Sequence, residues 1–225
     1  MEPPQHPSAR EPANRRQLST RAQAWPAAIG GALARSGISP NQVSVASIVF
    51  AALAGCAFWR AGERIGDSAS LWLVVGAAGI QLRLLCNLLD GLLAIEGGLK
   101  SKTGELYNEI PDRIGDILIL CGAGVAVHEY KGGLLLGAFA TIFAVLTAYV
   151  RLLGGSLALK QDFGGPMAKQ HRMFTLTVGA LAGAIEHFTL GSVWSVYVAL
   201  AVIVAGSLVT FILRTRRIAR ALKAR

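Results

Sequence analysis

The chain has 225 residues, of which 53% are hydrophobic and only 16% charged, where a soluble domain carries roughly 25% charged residues. Its mean hydropathy of +0.49 and its 26 glycines argue against an ordinary soluble enzyme and for membrane helices, in which glycine is frequent. The net charge of +9 lies in short clusters between apolar runs, which suits lipid headgroups and membrane orientation and argues against nucleic acid as a partner.

Residues 1–16 hold four prolines and several charges and read as a disordered tail without the apolar core of a signal peptide. Across 17–36 the residues Leu18, Ala22, Trp25, Ile29 and Leu33 share one helical face, with Arg15, Arg16, Arg21 and Arg35 nearby. This pattern predicts an amphipathic helix lying on the membrane surface, kinked or restarted at Pro26; the alternative is a mobile linker. Six apolar runs follow within residues 37–213: Val43–Trp59, Leu71–Leu93, Gly104–His128, Leu134–Leu153, Met173–Phe188 and Val193–Leu213. Most approach the ~20 residues that cross a bilayer as a helix, so the expected fold is all-α and integral to the membrane, with six transmembrane helices. Residues 214–225 form a basic tail on the cytoplasmic side.

Lysine and arginine set the expected orientation. One side would hold the Arg-rich N-terminus, Lys100, Lys102, Lys160, Lys169, Arg172 and the basic tail, and the other only Arg60, Arg64 and Lys131. The positive-inside rule then places both termini in the cytoplasm of a multi-pass cell-membrane protein, which requires an even number of spans. Trp59, Trp72, Tyr130 and Trp194 fall at the expected outer interface, where amphipathic rings prefer to sit. No internal repeat stands out, which weakens an inverted-repeat transporter reading. Gly179 and Gly183 form a small-xxx-small pair, read as close packing within the monomer in preference to a dimer contact. Cys56, Cys86 and Cys121 lie in apolar runs without metal-ligand spacing, so neither a disulfide framework nor a zinc site is expected.

The stretch from Asn87 to Asp116, NLLDGLLAIEGGLKSKTGELYNEIPDRIGD, carries the chemistry. Asn87 and Asp90 share a face at the end of the second run; Asn108, Asp112 and Asp116 share a face at the start of the third. Two neighbouring helices thus bring oxygen ligands together near one membrane surface. Carboxylates inside membrane helices are costly, and such residues are functional candidates by default. Hard carboxylate and amide oxygens suit Mg²⁺ or Mn²⁺, and one or two such ions would suit phosphoryl transfer. Asp116, one turn further on, is read as paired with Arg113 or another cation in preference to a substrate contact. Glu96, Glu105 and Glu109 read as loop or helix-end charges, with Glu109 placed to make up missing negative charge.

This stretch resembles the signature of the CDP-alcohol phosphotransferase family, D-x2-D-G-x2-A-R-x8-G-x3-D-x3-D. The spacing matches throughout, and Asp90, Gly91, Ala94, Gly104 and Asp112 match in identity. Asn87 stands at the first Asp position, Asn108 at the third and Ile95 at the Arg. The resemblance implies that an alcohol hydroxyl attacks the β-phosphorus of a CDP-linked lipid such as CDP-diacylglycerol, with release of CMP. It implies metal ligation by Asn87, Asp90, Asn108 and Asp112, a general-base role for Asp112, and close approach of the nucleotide at Gly91, Ala94 and Gly104. In GISPNQVS, residues 37–44, a P-N-x-[LVI]-[ST] element similar to one in the family places Asn41 toward cytidine, against plain helix initiation at Pro40. Arg151 and Arg172 stand where related enzymes keep arginines for the acceptor alcohol, and a guanidinium grips phosphate in bidentate fashion; the alternative is positive-inside anchoring. Lys100 and Lys102 face headgroups. His128 and His187 belong to the outer end, away from the carboxylates. The family's tendency to dimerise suggests a homodimer in the bilayer. A CDP-lipid-binding regulatory or partner subunit without full activity is the second reading, favoured by Asn87, Asn108 and Ile95. A cation transporter is the third, disfavoured because the polar residues gather on one side only.

Overall fold

The computed structural model describes residues 37–63, 68–95, 98–99 and 101–225. The expected tail and interfacial helix, residues 1–36, lie outside the described residues. Six long helices make up the rest: α1 (Pro40–Glu63), α2 (Ala69–Ile95), α3 (Gly104–Ala126), α4 (Gly133–Ser156), α5 (Lys169–Leu190) and α6 (Trp194–Lys223). Among the described residues there is no strand. Helices satisfy every backbone hydrogen bond internally, which a bilayer demands.

Five of the six, all but α3, are long and apolar enough to cross a membrane. The first half of α3 carries Glu105, Glu109, Asp112, Arg113 and Asp116, which excludes it on hydropathy. Its 23 residues nevertheless extend about 35 Å at 1.5 Å each, and it runs between the same two ends as its neighbours. The protein is a multi-pass membrane protein whose described residues form six long helices, five of them apolar enough to span the bilayer.

Helix boundaries depart from the apolar runs where local chemistry decides them. At the start of α1 the Ser39 N–H donates to Gln42 Oε1 at 2.9 Å, and the Gln42 N–H donates to Ser39 Oγ at 3.3 Å. This is a reciprocal capping box closed over Pro40. At the other terminus α6 continues past Leu213 through Arg214–Lys223, because that segment consists of helix formers with no Gly or Pro to stop it.

The core is made largely of small side chains, among them Ala51, Ala54, Ala77, Ala123, Ala140, Ala144 and Ala180. They let backbones approach closely, the usual route to helix association where lipid removes the hydrophobic driving force. A Cβ on Gly55 of α1 would stand 2.5 Å from the Leu118 carbonyl oxygen of α3, and Gly122 of α3 faces Gly55 in return. Gly179 and Gly183 pack against Ala199 and Val196 of α6 within the same chain, as expected for internal packing. Large apolar side chains such as Val49, Leu71, Phe174, Ile185 and Phe188 point outward, forming the surface that meets lipid.

One end of the bundle is closed by aromatic and polar contacts. The Tyr130 and Trp194 rings meet edge to face at 5.3 Å, and Trp194 stacks on Tyr197 at 4.7 Å. The Val193 N–H donates to the Tyr130 hydroxyl at 2.9 Å. Glu186 caps the start of α6 by accepting from the N–H groups of Trp194 at 2.9 Å and Ser195 at 2.8 Å. His128 and His187 also lie at this end, His187 beside Ser70 at 3.2 Å. All the candidate site residues lie at the opposite end.

Candidate active site

The site is assembled where α1, α3 and α5 begin and α2, α4 and α6 approach their ends. A cavity of about 450 Å³ opens there, lined by Asn87 from α2, Asn108 and Asp112 from α3, Arg151 from α4, Lys169 from α5 and Arg214 from α6, among others. Of the residues singled out in the sequence, Asn87, Asn108, Asp112, Arg151 and Arg172 line it. Asp90, Asn41, Gly91, Ala94 and Gly104 lie outside that lining, toward the loop between α2 and α3 and the first turn of α1.

Asp112 is the hub. Asn87 Nδ2 donates to its Oδ1 at 2.9 Å, and the Lys169 ammonium contacts the same oxygen. Arg83 Nη2 stands 3.6 Å from Oδ1 and Arg113 Nη2 3.9 Å from Oδ2. Asp90, one turn beyond Asn87 on α2, is buried and accepts a 2.5 Å hydrogen bond from Ser44 Oγ. Ser44 closes the P-N-x-[LVI]-[ST] element, so the residue of that element that reaches the carboxylate cluster is its last. The hydroxyl position was visible in the sequence; its partner, 46 residues away, was not.

Asp116 has a different job. It is fully buried, and it accepts from Arg83 Nη2 at 2.8 Å on one oxygen and from Arg172 Nη2 at 3.0 Å on the other. The expected cationic partner is therefore real, but it is a pair of arginines from α2 and α5; Arg113 turns instead to Glu109 at 3.0 Å. Arg172 also donates to the Met167 carbonyl at 3.0 Å, so its terminal nitrogens are engaged inside the protein. Isolated ions in a bilayer are prohibitive, and mutual pairing is what makes these three tolerable. Two cations at the start of α5, Lys169 and Arg172, oppose the helix dipole. Asp112 and Asp116 offset that cost, a sign that the placement serves the site.

Arg151 is held on the cavity wall by Glu109 at 2.6 Å and Gln161 at 2.6 Å, with its guanidinium 4.9 Å over the Phe163 ring. Glu109 thus serves Arg151 and Arg113, and its carboxylate is committed to them. Arg214 donates to the Gly164 carbonyl at 2.9 Å and the Thr147 carbonyl at 2.7 Å, tying the loop before α5 to α4 and α6. Lys169 and Arg214 are contributors whose places in the sequence suggested only membrane-side charge, and Glu109, read as a helix-end charge placed to make up missing negative charge, pairs with Arg113 and Arg151 instead.

Among the described residues no three His, Cys, Asp or Glu side chains gather, which follows from Asn at positions 87 and 108. Two carboxylates remain, with two amides whose carbonyl oxygens are equally hard ligands. Asn87 uses its Nδ2 on Asp112, which leaves its Oδ1 to ligate. A Cβ on Gly104 would meet only Ser101 Oγ, at 3.4 Å, so protein packing does not demand glycine there and space is kept beside the cluster. The residues present fit Mg²⁺ or Mn²⁺.

Fold and site together define a helical membrane protein with a carboxylate–amide cluster beside a cation-lined cavity at one end. No protein-family profile matches the chain. It is similar to the phosphatidylinositol phosphate synthase of Mycolicibacterium smegmatis, 24% identical over 196 residues that cover 84% of this chain and 82% of that protein. It is also similar to the inner membrane protein YnbA of Escherichia coli, 26% identical over 148 residues covering 66% of this chain and 69% of that one. Among solved structures, the phosphatidylinositol phosphate synthase of Mycobacterium tuberculosis with CDP-DAG bound aligns with a TM-score of 0.72 at 19% identity, covering 86% of this chain and 92% of that one. The same enzyme in complex with manganese and citrate aligns at 0.71 and 19% identity, covering 86% and 88%. These likenesses establish the fold.

Proposed function

We propose that this protein is a metal-dependent CDP-alcohol phosphotransferase that moves a phosphatidyl group from a CDP-linked lipid to an acceptor alcohol in phospholipid synthesis. The observation that carries the reading is Asp112: a carboxylate on the wall of a cation-lined cavity, hydrogen-bonded across two helices to Asn87 of the matching motif. In the reaction the acceptor hydroxyl bonds to the lipid-side phosphorus of the pyrophosphate, its proton passes to Asp112, the P–O bond to CMP breaks, and CMP leaves. Asp90, Asp112 and the amide oxygens of Asn87 and Asn108 would hold the divalent ion. When bound, that ion neutralises the pyrophosphate and stabilises the leaving CMP. Asn41, Gly91, Ala94 and Gly104 would take the nucleotide, on the side of the cluster away from the cavity.

The cavity takes the acceptor. Arg113, Arg151, Lys169, Arg172 and Arg214 line it against Glu109 and Asp112, and this excess of cations favours an acceptor that carries a phosphate. The synthases of similar sequence are named for phosphatidylinositol phosphate, so inositol phosphate is the first acceptor to try. The test is CMP formation by purified protein from CDP-diacylglycerol with inositol phosphate, glycerol phosphate, serine and unphosphorylated inositol. CMP release that needs Mg²⁺ or Mn²⁺, stops on chelation and prefers a phosphorylated acceptor is expected. Tight CDP-diacylglycerol binding without CMP under any acceptor would replace this reading with that of a CDP-lipid-binding partner subunit, which the lysine held on Asp112 favours.

A further inference from the structure

We infer that the Lys169 ammonium is a built-in replacement for one of two divalent ions, so that the substrate-free site binds a single metal ion. The inference rests on the metal-dependent reading above and concerns this chain's own departures from the four-carboxylate motif. A site of four carboxylates presents about four negative charges, which balance about four positive charges on two divalent ions. This chain keeps Asp90 and Asp112 and has neutral amides at Asn87 and Asn108.

The structure shows where positive charge already sits. Lys169 rests directly on Asp112 Oδ1. Arg83 stands 3.6 Å from that oxygen, and Arg113 lies 3.9 Å from Oδ2. Asp116, the nearest further carboxylate on the same helix face, is consumed by Arg83 and Arg172. Glu109 is consumed by Arg113 and Arg151. Among the described residues the carboxylates beside Asp112 are therefore already paired, and the cations around it outnumber them, which disfavours a second divalent ion. Among the described residues Asp90 pairs with the Ser44 hydroxyl and not with a cation, so the single ion belongs on the Asp90 side, shared with the amide oxygens. The two asparagines and the lysine act in the same direction: the asparagines remove about two negative charges from the cluster, and the Lys169 ammonium neutralises one of the two carboxylates that remain. Lys169 is held in place by this arrangement in the first turn of α5, where a lysine is otherwise disfavoured by the helix dipole.

The test is to count Mn²⁺ ions on the full-length protein in detergent by equilibrium dialysis with electron paramagnetic resonance of the free ion, in the absence of substrate. Wild type should hold one tight ion. Lys169→Met should acquire a second site, or bind its second ion about tenfold more tightly than wild type; Lys169→Arg, which keeps the charge, should still hold one. Asn87→Asp combined with Asn108→Asp should hold two. Two tight ions in substrate-free wild type would overturn the inference, and so would a folded Lys169→Met protein with unchanged stoichiometry and affinity. If Lys169→Met loses its cooperative melting transition, Lys169→Gln is used, and the wild-type count decides independently. Two ions together with CMP formation would sink this inference and leave the proposed activity standing. No Mn²⁺ on any of the proteins, with or without CDP-diacylglycerol, would remove both.

Discussion

Two aspartates one helical turn apart on α3 meet opposite fates, and the difference lies in what surrounds them. Asp112 lines the cavity, where its partners are an amide and an ammonium. Asp116 is sealed behind it with two guanidinium groups. Replacing each by asparagine should separate chemistry from structure. Asp112→Asn should lower CMP formation by about a hundred- to ten-thousandfold, the range attributed to general-base groups, while the melting temperature in detergent stays near that of wild type. Asp116→Asn leaves two buried cations uncompensated and should cost about 3–5 kcal/mol, read as a large drop in melting temperature. Equal thermal stability for the two variants would contradict this division of labour. The i, i+4 spacing made the shared face of these aspartates readable from the sequence. The choice between cavity and core was not readable, because it depends on Arg83 and Arg172, which reach Asp116 from helices distant in the chain.

At the scale of the helix, the existence of each element was legible, since runs of apolar residues near bilayer length have few other structures open to them. Even α3 was found, because Gly104–His128 reads as an apolar run despite the charges in its first half. Boundaries were less legible: Ser39 and Gln42 set the start of α1 by side-chain hydrogen bonds, and hydropathy is blind to those. Glycine shows the same limit. Composition flagged an excess of it without saying which ones pack helices and which ones leave room for a ligand, and the structure distinguishes them. Gly55→Ala places a methyl group 2.5 Å from the Leu118 carbonyl oxygen, and overpacking of this kind costs about 1–3 kcal/mol. Gly104→Ala meets only a serine hydroxyl at ordinary distance. Thermal unfolding should therefore detect Gly55→Ala and miss Gly104→Ala. Binding of CDP-diacylglycerol should be weakened by Gly104→Ala. A Gly104→Ala protein with full affinity would show that the space beside the cluster is not used by the nucleotide.

For the molecule as a whole, the end-to-end asymmetry links fold, charge and orientation. Ser44, Asp90, Asp112, Arg151, Lys169 and Arg214 come from six different helices and meet at one end. That is possible only if successive helices alternate in direction, which brings the start of α1 and the end of α6 to the same side. The long basic end of α6 lies on this side too: Arg217 pairs with Asp162 at 2.9 Å, and Arg225 donates to the carbonyls of Leu157 and Ala158 at 3.0 and 2.7 Å. The opposite end offers Lys131 and the Tyr130, Trp194 and Tyr197 cluster, with far fewer cations. Lysine and arginine are retained on the cytoplasmic side of short connections. The site end, where the proposed reaction binds the cytidine headgroup of a membrane-held lipid and releases water-soluble CMP, is therefore predicted to face the cytoplasm. Reporter domains fused in the short α3–α4 turn near Lys131 and after Arg225 test this directly. The first should report the outer side and the second the cytoplasm. An external signal after Arg225 would overturn the orientation, and signals from the same side at both positions would overturn the six-pass arrangement itself.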